Sequence, residues 1–207
     1  MEFINEISTT WVLIFILTGF IAGYIDSIAG GGMITIPMLL FSGIPPIFVL
    51  ETNKMQSVVG ALMATVKYAV SKKINWKIVS VAIIPCLIAS YIGSLLVMFL
   101  SDEIIQWAIL LSIPLALLAL LKKKNKIKEE NTELTKKNII LTTAPIGFYD
   151  GLLGPGTGTY LTISMKKFLH LDYLTSTAST KPLNFTTNFG SVVAFFISEK
   201  FAIKSLK

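Results

Sequence analysis

The sequence predicts an all-α fold, a polytopic transmembrane helical bundle built from two repeated modules with broken or re-entrant helices. Three observations lead to this prediction: charges are few, long stretches carry none, and one glycine-rich motif interrupts the apolar sequence twice. Of the 207 residues, 53% are hydrophobic and 14% are charged, whereas a soluble domain has about 25% charged residues. This composition excludes a soluble globular enzyme, a disulfide-stapled secreted domain and a disordered tail.

The charged residues are bunched, so that long uncharged windows separate them. These windows cover residues 7–25, 27–50, 78–101, 104–121, 138–149 and 182–198. Several of them approach or exceed the length of about 20 residues that lets a helix span a bilayer. We therefore predict a multi-pass protein of the plasma membrane, surrounded by the lipid bilayer.

Most of the predicted helices follow from these windows, taken in chain order. The first covers 10–25. The window 33–50 is interrupted by Pro37, Gly43, Pro45 and Pro46, and proline removes a backbone donor and clashes with the preceding turn. We predict a short half-helix or re-entrant hairpin there. Further helices are predicted over 56–70, 76–100, 104–121, 138–149, 160–171 and 183–197.

A charged linker divides the chain into two modules. We predict a first transmembrane repeat over 1–121, a cytoplasmic linker over 122–137 that holds seven lysines and three glutamates, and a second repeat over 138–207. Lysines also cluster around the start of the predicted helix over 76–100. Two membrane crossings separate this cluster from the linker, so both lysine-rich segments can be cytoplasmic, as the positive-inside rule requires. The second repeat lacks counterparts of the helices at 76–121, so we expect a C-terminally shortened member of its class.

The glycine-rich motif supports the duplication. Gly23-Tyr-Ile-Asp-Ser-Ile-Ala-Gly-Gly-Gly32 and Gly147-Phe-Tyr-Asp-Gly-Leu-Leu-Gly-Pro-Gly156 share the pattern Gly-aromatic-x-Asp-x-x-x-Gly-x-Gly, and each is followed by a lysine, in Thr52-Asn-Lys54 and Ser179-Thr-Lys181. Broken segments at corresponding places in two halves are typical of secondary transporters, because irregular backbone in hydrocarbon persists only where it is buried in protein or lines a cavity. Close packing of helices through small residues is the alternative interpretation.

The charges inside apolar windows predict an anion-binding site. A charge near the membrane centre costs at least about 2.5–3.5 kcal/mol, and Lys54 and Lys181 would offset that cost by binding an anion beside the glycine segments. Each lysine could instead form a structural ion pair with Asp26 or Asp150, or extend its ammonium group to the membrane interface. An aspartate could also hold a lysine until the substrate arrives, or carry a coupling proton. The complete candidate substrate-binding set is Asp26, Gly30, Gly31, Gly32, Asn53, Lys54, Gln56, Asp150, Gly154, Pro155, Gly156, Gly158, Lys181, Asn184 and Asn188.

At these residues the sequence resembles the sulfite exporter TauE/SafE family of membrane transporters. The resemblance is carried by 19–32 with Thr52-Asn-Lys-Met-Gln-Ser57, and by 147–158 with Thr180-Lys-Pro-Leu-Asn184. It covers nearly the whole chain and implies a plasma-membrane carrier that exports sulfur-containing or other organic anions, such as sulfite and the products of sulfonate breakdown. Met33 stands where members of the family often extend the glycine run.

Two other classes of function compete with anion transport. An intramembrane aspartyl protease would let two aspartates share a proton, although neither Asp26 nor Asp150 lies in a Gly-x-Gly-Asp sequence; a channel or accessory membrane subunit is the other class. We predict no catalytic residues, metal, cofactor or nucleic-acid partner. Cys86 is the single cysteine, and all 18 basic residues are lysine, whereas nucleic-acid sites favour arginine. A coupling ion and a homo-oligomer remain open.

Overall fold

The computed structural model describes residues 9–28, 32–121 and 134–205, and these ranges are helical apart from short turns. They contain eight helices and no strand, which confirms the predicted all-α class. In chain order the helices are α1 (Thr9–Ile28), α2 (Thr35–Phe41), α3 (Pro46–Val70), α4 (Trp76–Val97), α5 (Asp102–Leu121), α6 (Lys136–Leu152), α7 (Thr157–Phe168) and α8 (Tyr173–Ser205).

The interrupted window at 33–50 forms a short helix followed by a turn. α2 has seven residues and measures about 10 Å, too short to cross a bilayer by itself. Gly43 has a φ of +81° in the turn that follows, and Pro46 then begins α3. Proline suits the first position of a helix because the backbone N–H that it lacks would have no partner inside the helix.

Several helices extend beyond their predicted ends, among them α1, α3 and α8. α1 continues to Ile28, so Asp26 lies within a helix and not in a polar break after it. α3 begins ten residues before the predicted 56, and α8 covers Tyr173–Ser205 instead of 183–197. The added parts of α3 and α8 contain Lys54 and Lys181, which are both 1% exposed. These polar residues interrupt the apolar pattern without interrupting the helix, because they face the interior of the bundle.

The predicted linker at 122–137 lies largely outside the described residues. Its last two residues, Lys136 and Lys137, form the first turn of α6. Thr135 caps this helix, since its hydroxyl oxygen accepts a hydrogen bond from the Asn138 backbone N–H at 3.3 Å. The capping residue satisfies one of the N–H groups that a helix start leaves unpaired.

The three helices α4, α6 and α8 run in the same direction, and small residues lie where they pack against one another. A Cβ atom on Gly151 would lie 2.0 Å from the Ser90 carbonyl oxygen, and one on Gly147 would lie 3.2 Å from the Cys86 backbone. Cys86 of α4 thus lies opposite Gly147 of α6, and Ser90 lies opposite Gly151. Because the residue numbers increase together along both helices, α4 and α6 run parallel. A Cβ on Gly190 of α8 would lie 2.6 Å from the Ser90 hydroxyl. Glycine at these positions lets the helix backbones approach one another closely.

The parallel packing brings the starts of α4, α6 and α8 to one end of the bundle. The Asn75 backbone N–H donates a hydrogen bond of 2.9 Å to the Ser179 hydroxyl there. Among the described residues, eight lysines at this end are exposed or half-buried, and we call it the lysine end: Lys67, Lys72, Lys73, Lys77, Lys136, Lys137, Lys166 and Lys167. The lysines before α4 and those at the start of α6 therefore share one end, as they must if both segments are cytoplasmic.

Two apolar clusters are stacked along the bundle with polar residues between them. The cluster nearer the lysine end includes Ile78, Ile139 and Leu183. The opposite cluster includes Val97 and Leu153, together with residues of α2, α3, α5 and α8. The level between them is occupied by buried polar side chains, among them those of Ser90, Ser94, Asn184 and Thr187. The core is thus apolar at both ends and polar at the middle.

Among the described helices, α4 is the one whose length and composition suffice to cross a membrane. Its 22 residues measure about 33 Å, close to the hydrocarbon thickness of about 30 Å. Ile84, Ile88 and Ile92 are exposed on one face, whereas Cys86 and Ser90 are fully buried on the other. The helix therefore has an open apolar face and a face that packs against α6 and α8.

The contact between Gly151 and Ser90 gives a direct test of this packing. We expect Gly151→Ala to lower the free energy of unfolding by about 1–3 kcal/mol, the usual cost of forcing atoms into a filled core. The matched control is Gly60→Ala in α3, where an added Cβ meets nothing within 4 Å and the higher helix propensity of alanine favours folding by up to about 1 kcal/mol. Thermal unfolding in detergent measures both variants. Equal melting temperatures for the two would contradict the packing described.

Candidate functional site

A buried ion pair joins α3 to α6. Lys54 Nζ lies 2.6 Å from Asp150 Oδ1, and the two side chains are 1% and 2% exposed. The same ammonium group also donates a hydrogen bond to the backbone carbonyl oxygen of Asp150. Asp150 lies about 21 Å along α6 from Lys136, so the pair is deep within the bundle. This pair fulfils the sequence-based interpretation in which a lysine is held by an aspartate.

Two threonine hydroxyls complete the surroundings of the carboxylate. Thr157 at the start of α7 donates to Asp150 Oδ1 at 2.9 Å, and Thr187 of α8 donates to Asp150 Oδ2. Both carboxylate oxygens are therefore hydrogen-bonded, and the donors come from three different helices. A charge buried at this depth is stable only when it is paired and hydrogen-bonded in this way.

The break between α6 and α7 has a conformation that depends on glycine. Gly154 and Gly156 have φ values of +97° and +79°, the left-handed region that glycine enters without steric cost. A Cβ on Gly154 would lie 2.9 Å from Lys54 Nζ and 3.4 Å from Asp150 Oδ1. The segment is also tied down by Tyr149, whose hydroxyl donates to the Pro155 carbonyl oxygen at 2.6 Å. Glycine at 154 thus makes room for the lysine.

The first glycine segment meets the residue next to Lys54. Gly32 has a φ of +72°, and a Cβ there would lie 2.8 Å from the side-chain oxygen and nitrogen of Asn53. Neighbouring residues of α3 therefore lie against the two glycine segments. Asn53 lies against Gly32 of the first segment, and Lys54 lies against Gly154 of the second. Within the described part of the chain, the buried Asn53 Oδ1 and Ser57 Oγ have no hydrogen-bond partner. They are polar groups that a bound molecule or water could satisfy.

The polar face of α8 lies beside the pair. Asn188 Nδ2 donates to the Asn184 carbonyl oxygen at 2.7 Å and to Asn184 Oδ1 at 3.1 Å. Thr187, which contacts Asp150, also donates to the Asn184 carbonyl oxygen at 3.1 Å. Lys181, one turn before Asn184, is 1% exposed. This stretch of α8 therefore presents amide, hydroxyl and ammonium groups inside the bundle.

A broken helix next to a buried ion pair is the arrangement expected of a site for a charged ligand inside a membrane. Comparison with known proteins identifies the family. A profile described as sulfite exporter TauE/SafE matches residues 15–206, which is nearly the whole chain. The chain belongs to the TauE/SafE family.

Relatives of this TauE/SafE protein are named as membrane transporters. The probable membrane transporter protein ORF9 of Sinorhizobium sp is 39% identical over 183 residues, which are 86% of this chain and 70% of the relative. A probable membrane transporter protein of Haemophilus influenzae is 32% identical over 195 residues, 93% of this chain and 76% of the relative. YfcA of Escherichia coli K12, also a probable membrane transporter protein, is 31% identical over 185 residues, 87% and 68% of the two chains. No solved structure matches the chain.

Family and relatives together establish the class of protein. The TauE/SafE protein is a membrane transporter and not an enzyme, so the protease that the two aspartates allowed is set aside. Its location is a membrane.

Several candidate residues meet around the ion pair, and others do not. Lys54, Asp150 and Gly154 are in contact, Pro155 accepts from Tyr149, and Gly156 and Gly158 lie in the buried turn that begins α7. Gln56 faces elsewhere, because its side-chain nitrogen donates to the Gly19 carbonyl oxygen of α1 at 3.4 Å. The candidates Gly30 and Gly31 and the side chain of Asp26 lie outside the described residues.

Thr157 and Thr187 contact the ion pair but are missing from the sequence-based set. Thr157 lies between Gly156 and Gly158 in the second glycine segment. Both of these glycines are in the candidate set, so the segment that contains Thr157 was identified although its hydroxyl was not. Thr187 belongs to a run of polar residues on α8, including Asn184, Asn188 and Ser191, that are spaced three and four apart. This spacing places them on one helix face, and it was the signal that could have identified the hydroxyl.

The ion pair predicts how the bundle responds to removal of one charge. We expect Lys54→Ala to lower the free energy of unfolding by about 3–5 kcal/mol, because Asp150 is left buried without its counter-charge. The double variant Lys54→Met with Asp150→Leu removes both charges and should recover most of that stability. Lys67→Ala is the control, since this lysine is exposed on the same helix. Thermal unfolding in detergent gives the comparison, and a fully stable Lys54→Ala variant would contradict the pairing.

Proposed function

We propose that this TauE/SafE protein is a multi-pass secondary transporter of the plasma membrane that exports small anions, with sulfite and sulfonates as the preferred class. The observation that carries the proposal is the buried Lys54–Asp150 pair beside a glycine-broken helix. An ammonium group that is already desolvated and held by a replaceable carboxylate is suited to exchange that partner for a substrate anion.

The exchange would proceed by competition for the Lys54 ammonium group. An incoming oxyanion takes over the hydrogen bonds that Lys54 now gives to Asp150, and the freed carboxylate keeps the hydrogen bonds from Thr157 and Thr187. The unpartnered groups of Asn53 and Ser57 lie on the same helix as Lys54 and offer further hydrogen bonds to a polar ligand. The site thus supplies one positive charge and several neutral groups, which fits a compact anion.

The arrangement of α3 and α8 supports a duplicated, inverted architecture. These helices carry Lys54 and Lys181, the lysines that follow the two glycine segments, and both lysines are 1% exposed. The end of α3 and the start of α8 lie together at the lysine end, where Asn75 binds Ser179, so the two helices run in opposite directions. Gly32 and Gly156, equivalent positions of the motif, both have positive φ. Inverted repeats that meet at a midplane site are common in secondary transporters.

The test of this proposal is flux into or out of proteoliposomes with a panel of anions, sulfite and sulfonates first and chloride as a comparison. We expect saturable movement of at least one sulfur oxyanion. Lys54→Met with Asp150→Leu should fold but reduce the flux to the protein-free background. Lys67→Ala and Gln56→Ala should retain it, because neither side chain contacts the pair.

Other outcomes would identify other functions. Flux that does not saturate with anion concentration would indicate a channel, and absence of flux for every anion would indicate an accessory subunit. Full flux in the double variant would show that the ion pair has only a structural contribution.

Proton coupling through Asp150 is a further part of the proposal. When Lys54 binds the substrate, the carboxylate loses its counter-charge, and uptake of a proton would stabilise it inside the bundle. We expect an imposed pH gradient to change the flux of the wild-type protein and to have no effect on Asp150→Asn, which cannot take up that proton. A pH response of equal size in Asp150→Asn would rule out Asp150 as the coupling group.

A further inference from the structure

A groove opens on the surface at the lysine end, away from the ion pair. Residues 72–77 and Thr175 of α8 line it, and its volume is about 580 Å³. This volume is within the range of about 300–1,000 Å³ found for sites that bind small molecules. The floor is fixed, since the Asn75 backbone N–H is bound to Ser179 and the Asn75 side chain accepts from the Ile78 N–H.

The groove is positively charged. Lys72, Lys73 and Lys77 are all exposed, and within the described residues none of them forms an ion pair. Lys72 has a φ of +53°, so the turn is sharp and brings neighbouring lysines to one place. The acidic group nearest in sequence to the lining is Asp172, which accepts a hydrogen bond of 3.0 Å from the Thr175 N–H. Hydrogen bonds from Thr175 lower the pKa of Asp172, so this carboxyl group is charged at neutral pH, but it does not itself line the groove.

The groove lies where lipid headgroups are expected. Trp76 lines it and is also the first residue of α4, the helix long and apolar enough to cross a membrane. Its side chain is 52% exposed, and tryptophan is enriched at the boundary between hydrocarbon and water. The exposed Ile84, Ile88 and Ile92 continue along α4 from this point. A molecule seated in the groove could therefore extend an apolar chain along the open face of α4.

We propose that this groove binds the phosphate-bearing headgroup of an anionic phospholipid, of which phosphatidylglycerol is the test case. Clustered lysines at the water end of a membrane helix attract anionic lipids, and three ammonium groups supply donors for phosphate oxygens. The adjoining tryptophan and isoleucines favour a lipid over a free phosphate compound, because only a lipid has an apolar part to place against them. Binding of a lipid in this groove is independent of which substrate the protein transports.

The experiment measures lipid binding to the full chain in neutral detergent micelles by native mass spectrometry and thermal shift. The probes are dioleoylphosphatidylglycerol, dioleoylphosphatidylcholine and glycerol phosphate. We expect saturable binding of phosphatidylglycerol, and about fivefold weaker binding for each lysine removed, so that Lys73→Gln with Lys77→Gln binds about 25-fold more weakly. Lys136→Gln with Lys137→Gln is the matched control, since it removes two exposed lysines at the same end but outside the groove.

Each other outcome overturns the proposal. Phosphatidylcholine that binds as tightly as phosphatidylglycerol would exclude recognition of the charged headgroup. An equal loss in both double variants would indicate a general effect of net charge, and no loss in either would place the lipid elsewhere. Glycerol phosphate that binds as tightly as the lipid would make the ligand a soluble phosphate compound. All four substituted lysines are exposed, so we expect both variants to fold.

Discussion

The cost of burying two opposite charges constrains the rest of this molecule. Lys54 and Asp150 are removed from water almost completely, and their attraction offsets the desolvation cost only with close contact and further hydrogen bonds. The glycine at 154 makes that close contact possible, and Thr157 and Thr187 supply the further bonds. The Asp150 carboxylate therefore depends on three neighbouring parts of the bundle. The break between α6 and α7, the polar face of α8 and the buried face of α3 each supply a group that binds it.

The two partners of the pair stand on helices that pack against different neighbours. Asp150 belongs to α6, whose Gly151 lies against the Ser90 backbone of α4. Lys54 belongs to α3, whose buried face includes Leu50, Asn53 and Ala61 and packs mainly against α8. The ion pair therefore joins α3, which packs on α8, to α6, which packs on α4, and the two charges separate only if α3 and α6 move apart.

Much of the fold and part of the site could be predicted from the sequence. The uncharged windows located five of the described helices approximately, the apolar stretches at 56–70 and 160–171 indicated two more, and proline and glycine located the short α2. The predicted ends of the helices were less accurate. In the sequence, Lys54 and Lys181 look like polar residues that precede an apolar helix, whereas each is a buried residue inside one. The repeated motif identified Asp150, Gly154 and Lys54, but no sequence pattern said that Lys54 would bind the aspartate of the other glycine segment. Gln56 was grouped with Lys54 by proximity in sequence, although two positions along a helix point to different sides.

The location of Cys86 has a practical consequence. It is the single cysteine of the chain, it is fully buried, and its backbone lies against Gly147 where α4 packs on α6. A water-soluble maleimide therefore has no native thiol within reach while the bundle is folded. Cysteines introduced one at a time along α3 can be mapped against an unmodified background, and labelling of the native thiol becomes a built-in reporter of unfolding.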